Sequence, residues 1–146
     1  GRTAQADEDL RFMANALYPK WKQALLEFTA NNDLDGQTVK VALIDTGTYT
    51  YSASDQYWSA ASSASVGTPQ TIGSKTFTDG VFDGANVTFT AVTGNSVEAL
   101  IIYIDTGNAA TSPLVAYIDT SVTGLPVTPN GGDITITWNG SGIFAL

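Results

Sequence analysis

Apolar and polar residues alternate with a period of two along much of the chain after Gly36. Such alternation is typical of antiparallel strands that have one solvated face. Short runs rich in β-branched and aromatic residues predict strands at 38–44, 87–92, 97–104, 114–118 and 134–138. Asn-Gly and Asp-Gly turn dipeptides separate several of these runs. The pattern therefore predicts a mainly β fold, an antiparallel β-sandwich or barrel-like domain.

A helical pattern precedes the strands. Trp21, Leu25 and Phe28 recur at helical spacing, and Pro19 lies where the first turn of a helix tolerates a missing N–H. We predict an N-terminal amphipathic helix over about 18–30, with its apolar face packed on the sheet.

The segment 52–64 is ambiguous. The pair Ser54-Asp55 could cap a short helix that carries Tyr57 and Trp58. A flexible loop of small residues would then continue to about Pro69.

The first twelve residues differ in composition from the rest of the chain, being mostly polar and charged. We interpret 1–12 as a leader, a tag remnant or an N-terminal arm that orders on a partner. Residues 13–146 are predicted to form one β-rich domain with the helix near its start. No apolar run is long enough to cross a bilayer, so we expect a soluble protein that does not enter a membrane.

Composition restricts the chemistry. The chain contains no histidine and no cysteine, which excludes a Ser-His-Asp triad, a thiolate nucleophile and most transition-metal sites. We expect no cofactor and no metal ligand. The net charge is −8, and four of the six basic residues lie in the first 22 positions. The body of the chain would repel a phosphate backbone, so nucleic acid is not an expected partner.

The tripeptide Ile-Asp-Thr occurs three times, each time after an apolar run. Each copy could be a strand end whose Asp and Thr side chains bond to the backbone of a tight turn, with a following glycine supplying a positive φ. The predicted turn residues are Asp45, Thr46, Gly47, Asp105, Thr106, Gly107, Asp119 and Thr120.

A catalytic interpretation is the remote alternative. The segment 42–47 resembles the catalytic turn of retroviral-type aspartic proteases, in which two aspartates share a proton. Asp45 and Asp105 would be the catalytic pair. They are only sixty residues apart, the later apolar-apolar-Gly segment of those enzymes has no good match, and a third copy has no role in the mechanism. We therefore expect no enzymatic activity, and we predict that Asp45, Asp105 and Asp119 each lie where a core strand ends in a turn.

One segment has the beginning of a calcium-binding loop. Asn31-x-Asp33-x-Asp35-Gly36 follows the opening of an EF-hand, but the twelfth position is Ala42 instead of glutamate. The sequence excludes a true EF-hand and leaves open only a weak, incidental cation site.

Aromatic residues provide a further set of candidates. They could contact a partner, stack on a carbohydrate or belong to the core. The candidates for partner contact are Trp21, Tyr49, Tyr51, Tyr57 and Trp58.

Five segments carry a resemblance to known proteins. They are MANALYPKWKQALLE (13–27), VKVALIDTGTYTY (39–51), TDGVFD (78–83), VEALIIY (97–103) and GLPVTPNGGDITITW (124–138). As a set they resemble a family of small structural proteins of tailed bacteriophages. The resemblance covers nearly everything after Met13 and leaves 1–12 outside.

The resemblance implies a virion component, above all a capsid decoration or cement protein of the head surface. The implied partner is the major capsid protein or another virion protein, and the implied location is the virion, assembled in the cytoplasm of the bacterial host. Because closed assemblies are usually symmetric, a homo-oligomer is expected, with a trimer by analogy to threefold capsid positions. A tail-associated or fibre-associated protein, or a module that binds host-surface glycans, is the alternative.

Overall fold

The computed structural model describes residues 15–146, and a five-stranded antiparallel sheet forms its centre. In spatial order the strands are β1 (Ala16–Leu17), β7 (Leu114–Ile118), β6 (Ala99–Ile104), β2 (Val39–Ile44) and β3 (Ser65–Thr71). The interpretation of 1–12 as a leader, tag remnant or arm concerns residues outside the described part.

Two antiparallel ribbons and short helical segments complete the fold. One ribbon pairs β4 (Val81–Phe82) with β9 (Phe144–Ala145), and the other pairs β5 (Val87–Phe89) with β8 (Ile134–Ile136). The helical segments are α1 (Pro19–Leu26) and the 3₁₀ turns Trp58–Ala60, Ser62–Ala64 and Thr78–Gly80. The fold is mainly β with antiparallel pairing, as predicted.

The sheet is open, so the barrel-like alternative is wrong for the described residues. One edge strand, β1, has only two residues. The other, β3, shifts register against β2 and contains Pro69, which has no N–H to donate to a further strand. Short or interrupted edge strands discourage further pairing, and here they leave the sheet unclosed.

The two central strands are apolar on both faces. All six residues of β6 are buried, and five of the six in β2. In the small ribbon β5–β8 the alternation survives: Val87 and Phe89 are buried, whereas the hydroxyls of Thr88 and Thr135 meet at 3.1 Å on the exposed side. The period-two prediction is confirmed there.

Segment 52–71 differs from the prediction. It contains two 3₁₀ turns where a capped helix was expected, and the predicted flexible loop contains strand β3. The backbone N–H of Trp58 donates to Ser112 O at 2.8 Å, and the indole stacks on Tyr103 with ring centroids 4.3 Å apart. These contacts hold the segment against the sheet in 3₁₀ turns instead of an α-helix.

Helix α1 is shorter than the predicted 18–30. It closes with a Schellman motif, in which Phe28 N donates to Leu25 O and Thr29 N to Ala24 O. Phe28 has φ 59 and is 96% exposed, so its predicted place on the packed face is wrong. Trp21 does pack inward, and its indole N–H donates to Asn32 O at 3.1 Å.

Within residues 15–146, no helix has the length and apolar character required to cross a membrane.

Candidate functional site

The three Ile-Asp-Thr phrases lie at the ends of three neighbouring strands. Asp45, Asp105 and Asp119 directly follow β2, β6 and β7. Strand register then fixes where each end lies: Ile44 pairs with Ala99, at the start of β6. Because β2 and β6 are antiparallel six-residue strands, Asp45 and Asp105 lie at opposite ends of the sheet, roughly 20 Å apart at about 3.3 Å per residue. They cannot share a proton within one chain.

Asp45 is a buried carboxylate whose oxygens are used by its own turn. It accepts hydrogen bonds from the Thr48 hydroxyl (2.8 Å), the Gly47 N–H (3.0 Å) and the Asn95 amide (3.0 Å). These donors, the Thr48 hydroxyl first, lower the pKa of Asp45 and favour the ionised form. Gly47 does not have the expected positive φ. A Cβ there would lie 3.2 Å from the Asp45 carboxylate, a tight contact that glycine avoids.

Glu98, which directly precedes strand β6, completes this turn. One carboxylate oxygen accepts from the Thr46 N–H at 2.9 Å and from the Thr46 hydroxyl at 3.0 Å. Burial alone would raise the pKa of Glu98, but its hydrogen bonds outweigh burial and lower the pKa. The Asp45 turn is thus held by two carboxylates that each serve backbone and hydroxyl donors.

The Asp105 turn is closed by a different neighbour. Its carboxylate accepts from the Gly107 N–H at 2.9 Å and forms an ion pair with Lys40 at 2.9 Å. The Lys40 hydrogen bond is the main reason that the pKa of Asp105 is lowered. Gly107 has φ 90, so here glycine does supply the predicted left-handed conformation.

The Asp119 turn is closed by Asn15. The Asn15 side-chain oxygen accepts from the Asp119 and Thr120 N–H groups at 2.8 and 3.0 Å, and its amide donates to Thr120 O at 3.3 Å. The residue after the phrase, Ser121, takes the positive φ (63°) in place of glycine. Asn15 therefore anchors the start of β1 to the end of β7.

Three of the five aromatic candidates for partner contact are buried: Trp21, Tyr49 and Trp58. That part of the prediction is corrected, because a side chain packed in the core of its own chain offers no surface to a partner. Tyr51 is half-buried, and Tyr57 is 37% exposed.

The buried tyrosines form a hydrogen-bonded cluster. The Tyr18 hydroxyl donates to that of Tyr49 at 2.8 Å, and Tyr49 donates to Asp55 at 2.8 Å. Tyr51 and Tyr117 pack beside them, with ring centroids 5.4 Å apart. Burial raises the pKa of each member, that of Tyr117 to about 12, so the cluster stays neutral. It provides packing and satisfied hydroxyls within the core.

The loop whose sequence opens like an EF-hand is bound by the side-chain ammonium of a distant lysine. The Lys75 ammonium donates to Leu34 O and Gln37 O, both at 2.6 Å, and lies 3.4 Å from Asp35 O. The Asp33 carboxylate faces the Gly36 N–H at 2.9 Å. The carbonyls that a metal would need are therefore bound to a lysine. Among residues 15–146, no group of three or more acidic side chains is arranged to hold a metal ion.

A surface cleft of about 530 Å³ lies between helix α1 with its following loop and the segments around Tyr57 and Thr106. We call it the α1 cleft. Its lining includes the side chains of Lys20, Gln23 and Gln56. The lining also includes Glu27, several hydroxyls and one exposed aromatic ring, a mixture that is suited to a polar ligand.

Sequence reasoning missed Asn15, Lys75, Asn95 and Glu98 as parts of these arrangements. Glu98 carried a weak signal, as a charged residue inside an apolar run, and Lys75 is one of only two basic residues after Lys22. Neither signal names the distant backbone that the side chain reaches.

No known protein-family model matches the chain, and no curated protein is significantly similar to it.

Proposed function

We propose that the chain is a non-enzymatic structural protein of a tailed-phage virion, one that decorates or cements the capsid surface through protein–protein contacts. The support from sequence is the set of five phage-like segments. Within this proposal, the main sheet and the β5–β8 ribbon, which share one apolar core, act as the layers of a β-sandwich.

The observation that carries the non-enzymatic part is the use made of the aspartates. Asp45 and Asp105 lie at opposite sheet ends, and each carboxylate is engaged by its own turn. A carboxylate held ionised by three donors is poorly suited to take up and release a proton, which an acid protease requires. Each Ile-Asp-Thr turn instead holds the end of a core strand in place. Such turns suit a rigid module that is assembled in many copies.

The proposed partner is the major capsid protein or another virion protein, and the proposed location is the virion after assembly in the bacterial cytoplasm. A homo-oligomer belongs to the same proposal. The excess of acidic residues in the body of the chain supports contacts with protein and disfavours nucleic acid.

Fractionation of virions tests the location. An antibody against the purified chain should detect it on DNA-filled heads separated from tails, in a fixed ratio to the major capsid protein. Detection only on tails or fibres would refute decoration and favour the tail-associated alternative.

Peptide cleavage at acidic pH tests the enzyme alternative. A dimer that joined one Asp45 from each of two chains would require this residue, so Asp45→Asn would abolish cleavage. We expect no cleavage by the native chain. Acid-dependent cleavage lost in Asp45→Asn and kept in the matched Asp119→Asn variant would overturn the proposal.

A glycan-binding module is the second candidate. The α1 cleft favours it because Tyr57, which is 37% exposed, has the most exposed ring of the five aromatic candidates. Aromatic rings and amide side chains together are suited to sugar faces and hydroxyls. A glycan array with the native chain and with Tyr57→Ala tests it. Binding lost in Tyr57→Ala and kept in Tyr51→Ala would support this function over decoration.

A further inference from the structure

We propose that two copies of the chain pair reciprocally, with Phe28 of each copy inserted into an apolar cavity beside helix α1 of the other. This inference goes beyond the virion proposal and does not depend on it.

The inserting group is exposed apolar surface at the end of α1. Phe28 is 96% exposed and Leu26 is 89% exposed, the two most exposed large apolar side chains in residues 15–146. Phe28 also occupies the left-handed C′ position (φ 59) that helices usually give to glycine. A phenylalanine there gains no packing within its own chain and incurs backbone strain. Contact with another molecule would bury the ring.

The receiving group is an apolar cavity of about 160 Å³ beside the same helix. We call it the α1 cavity. Its lining residues are Trp21, Leu25, Leu34, Phe77, Gly80, Val81, Phe82, Phe144 and Leu146. A cavity of about 150 Å³ with comparable apolar walls stays dry and binds benzene. The α1 cavity is open at the surface, and its similar volume and apolar lining can receive a phenyl ring.

The positions of the two groups favour a two-fold pair. Leu25 lines the α1 cavity, and Phe28 follows it by three residues, so knob and cavity belong to one region of the surface. A patch that contains both a knob and its cavity is self-complementary across a two-fold axis, where each contact occurs twice.

Charge complementarity points to a second copy as the occupant. Lys22 lies one helical turn before Leu26 on α1, in a molecule whose net charge is −8. Asp79 adjoins Gly80 at the cavity and is exposed. When α1 of one copy covers the cavity of the other, Lys22 approaches Asp79 of the facing molecule, and the symmetric pair forms as well.

The area involved predicts a weak, reversible dimer. A buried aromatic side chain contributes about 150–250 Å², so two phenyl rings and their rims fall well short of the roughly 1,600 Å² of a standard interface. We therefore expect association at micromolar or higher concentration.

Sedimentation equilibrium of the full chain over a concentration series tests the proposal. The 15.3 kDa monomer should convert to a species of twice that mass. Phe28→Ser, which removes the ring, and Leu25→Trp, which fills the cavity mouth, should each weaken dimerisation at least tenfold. Thermal unfolding of both variants checks that they remain folded.

A mixture of the two variants gives a sharper readout. Phe28→Ser keeps its cavity and Leu25→Trp keeps its ring, so one knob-and-cavity contact can form between them. The mixture should associate more strongly than either variant alone and less strongly than the native chain. Likewise, Lys22→Glu should weaken the dimer, and combination with Asp79→Lys should restore it.

Three results would overturn the proposal. They are a native chain that stays monomeric at every concentration, a trimer, and association unchanged in Phe28→Ser. A monomer would leave the cavity to residues 1–14 or to a different protein.

Discussion

Replacement of Lys75 by methionine should reveal how strongly one ammonium group stabilises the 33–37 loop. Lys75 lies beyond the end of β3, and its Nζ bonds to carbonyls about forty residues earlier in the chain. Methionine keeps most of the aliphatic stem and removes the charge and both short hydrogen bonds. The variant therefore isolates the contribution of the ammonium.

The contacts set the magnitude. Hydrogen bonds to a charged group are worth roughly 1.5–3 kcal/mol each, and Lys75 makes two at 2.6 Å. The two freed carbonyls belong to Leu34, which is buried, and Gln37, which is half-buried, so water entering past the exposed Asp35 and Gly36 recovers only part of the loss. We expect Lys75→Met to lower the free energy of unfolding by about 2–3 kcal/mol.

Urea titration followed by tryptophan fluorescence measures the change, because Trp21 and Trp58 are buried and report global unfolding. The midpoint should fall while the m-value stays constant. Lys20→Met is the matched control: Lys20 is exposed on α1, and its loss should change stability by no more than about 0.5 kcal/mol. Equal effects of the two substitutions would refute the argument that Lys75 acts as the internal cation of this loop.

Three further predictions concern other contacts. Phe28→Gly, measured at high dilution, should stabilise the monomer by about 0.5–1 kcal/mol, because the relief of left-handed backbone strain exceeds the gain in unfolded-state entropy. Phe28→Ala keeps the strain and should not stabilise the monomer. Equal unfolding midpoints for the two variants would contradict this prediction. Tyr49→Phe should lower the free energy of unfolding by about 1–3 kcal/mol, because it leaves the buried Tyr18 hydroxyl without a partner. Tyr51→Phe should change the free energy of unfolding little. Chemical denaturation of both variants measures the difference. Asp105→Asn removes the ion pair with Lys40 and should cost about 0.5–1 kcal/mol at neutral pH. Because the folded pKa of Asp105 is lowered, the stabilisation is present above the unfolded pKa of about 3.9 and is lost as the pH falls through the folded value. Unfolding midpoints of the native chain and Asp105→Asn should converge below that range, and a constant difference at acidic pH would contradict the assignment.

The strands that form the buried core were predictable because their local pattern matches their final environment. Residues 114–118 were predicted with the bounds of β7, and the predicted 38–44 exceeds β2 by one residue. β7 is a continuous apolar run, β2 is interrupted only by Lys40, and nearly all their residues are buried. Edge strands carry no such signal. β3 contains Gly67 and Pro69, which locally favour a turn, and only its pairing with β2 makes it a strand.

The C-terminal end of helix α1 was likewise not predictable from the local sequence. Pro19 marks the start correctly, within one residue of the predicted Tyr18. The spacing of Phe28 continued the apolar stripe, so the pattern gave no reason to end the helix before it. The stop is a Schellman motif with phenylalanine in the glycine position. Local propensity disfavours this choice, and such conflicts between local preference and structure often mark functional surface.

The Ile-Asp-Thr phrase shows which part of a turn can be predicted from the local sequence. Its local half was predictable: an aspartate after a buried strand accepts the N–H two residues later, as Asp45 and Asp105 both do. The other half comes from elsewhere in the chain, through Asn95 for the first copy, Lys40 for the second and Asn15 for the third. Three identical tripeptides thus become three turns with different electrostatics, one held by amide and hydroxyl donors, one by an ion pair and one by a neutral side chain. A catalytic pair would require two copies in equivalent surroundings that face each other, and the antiparallel register of β2 and β6 separates them by the full length of both strands.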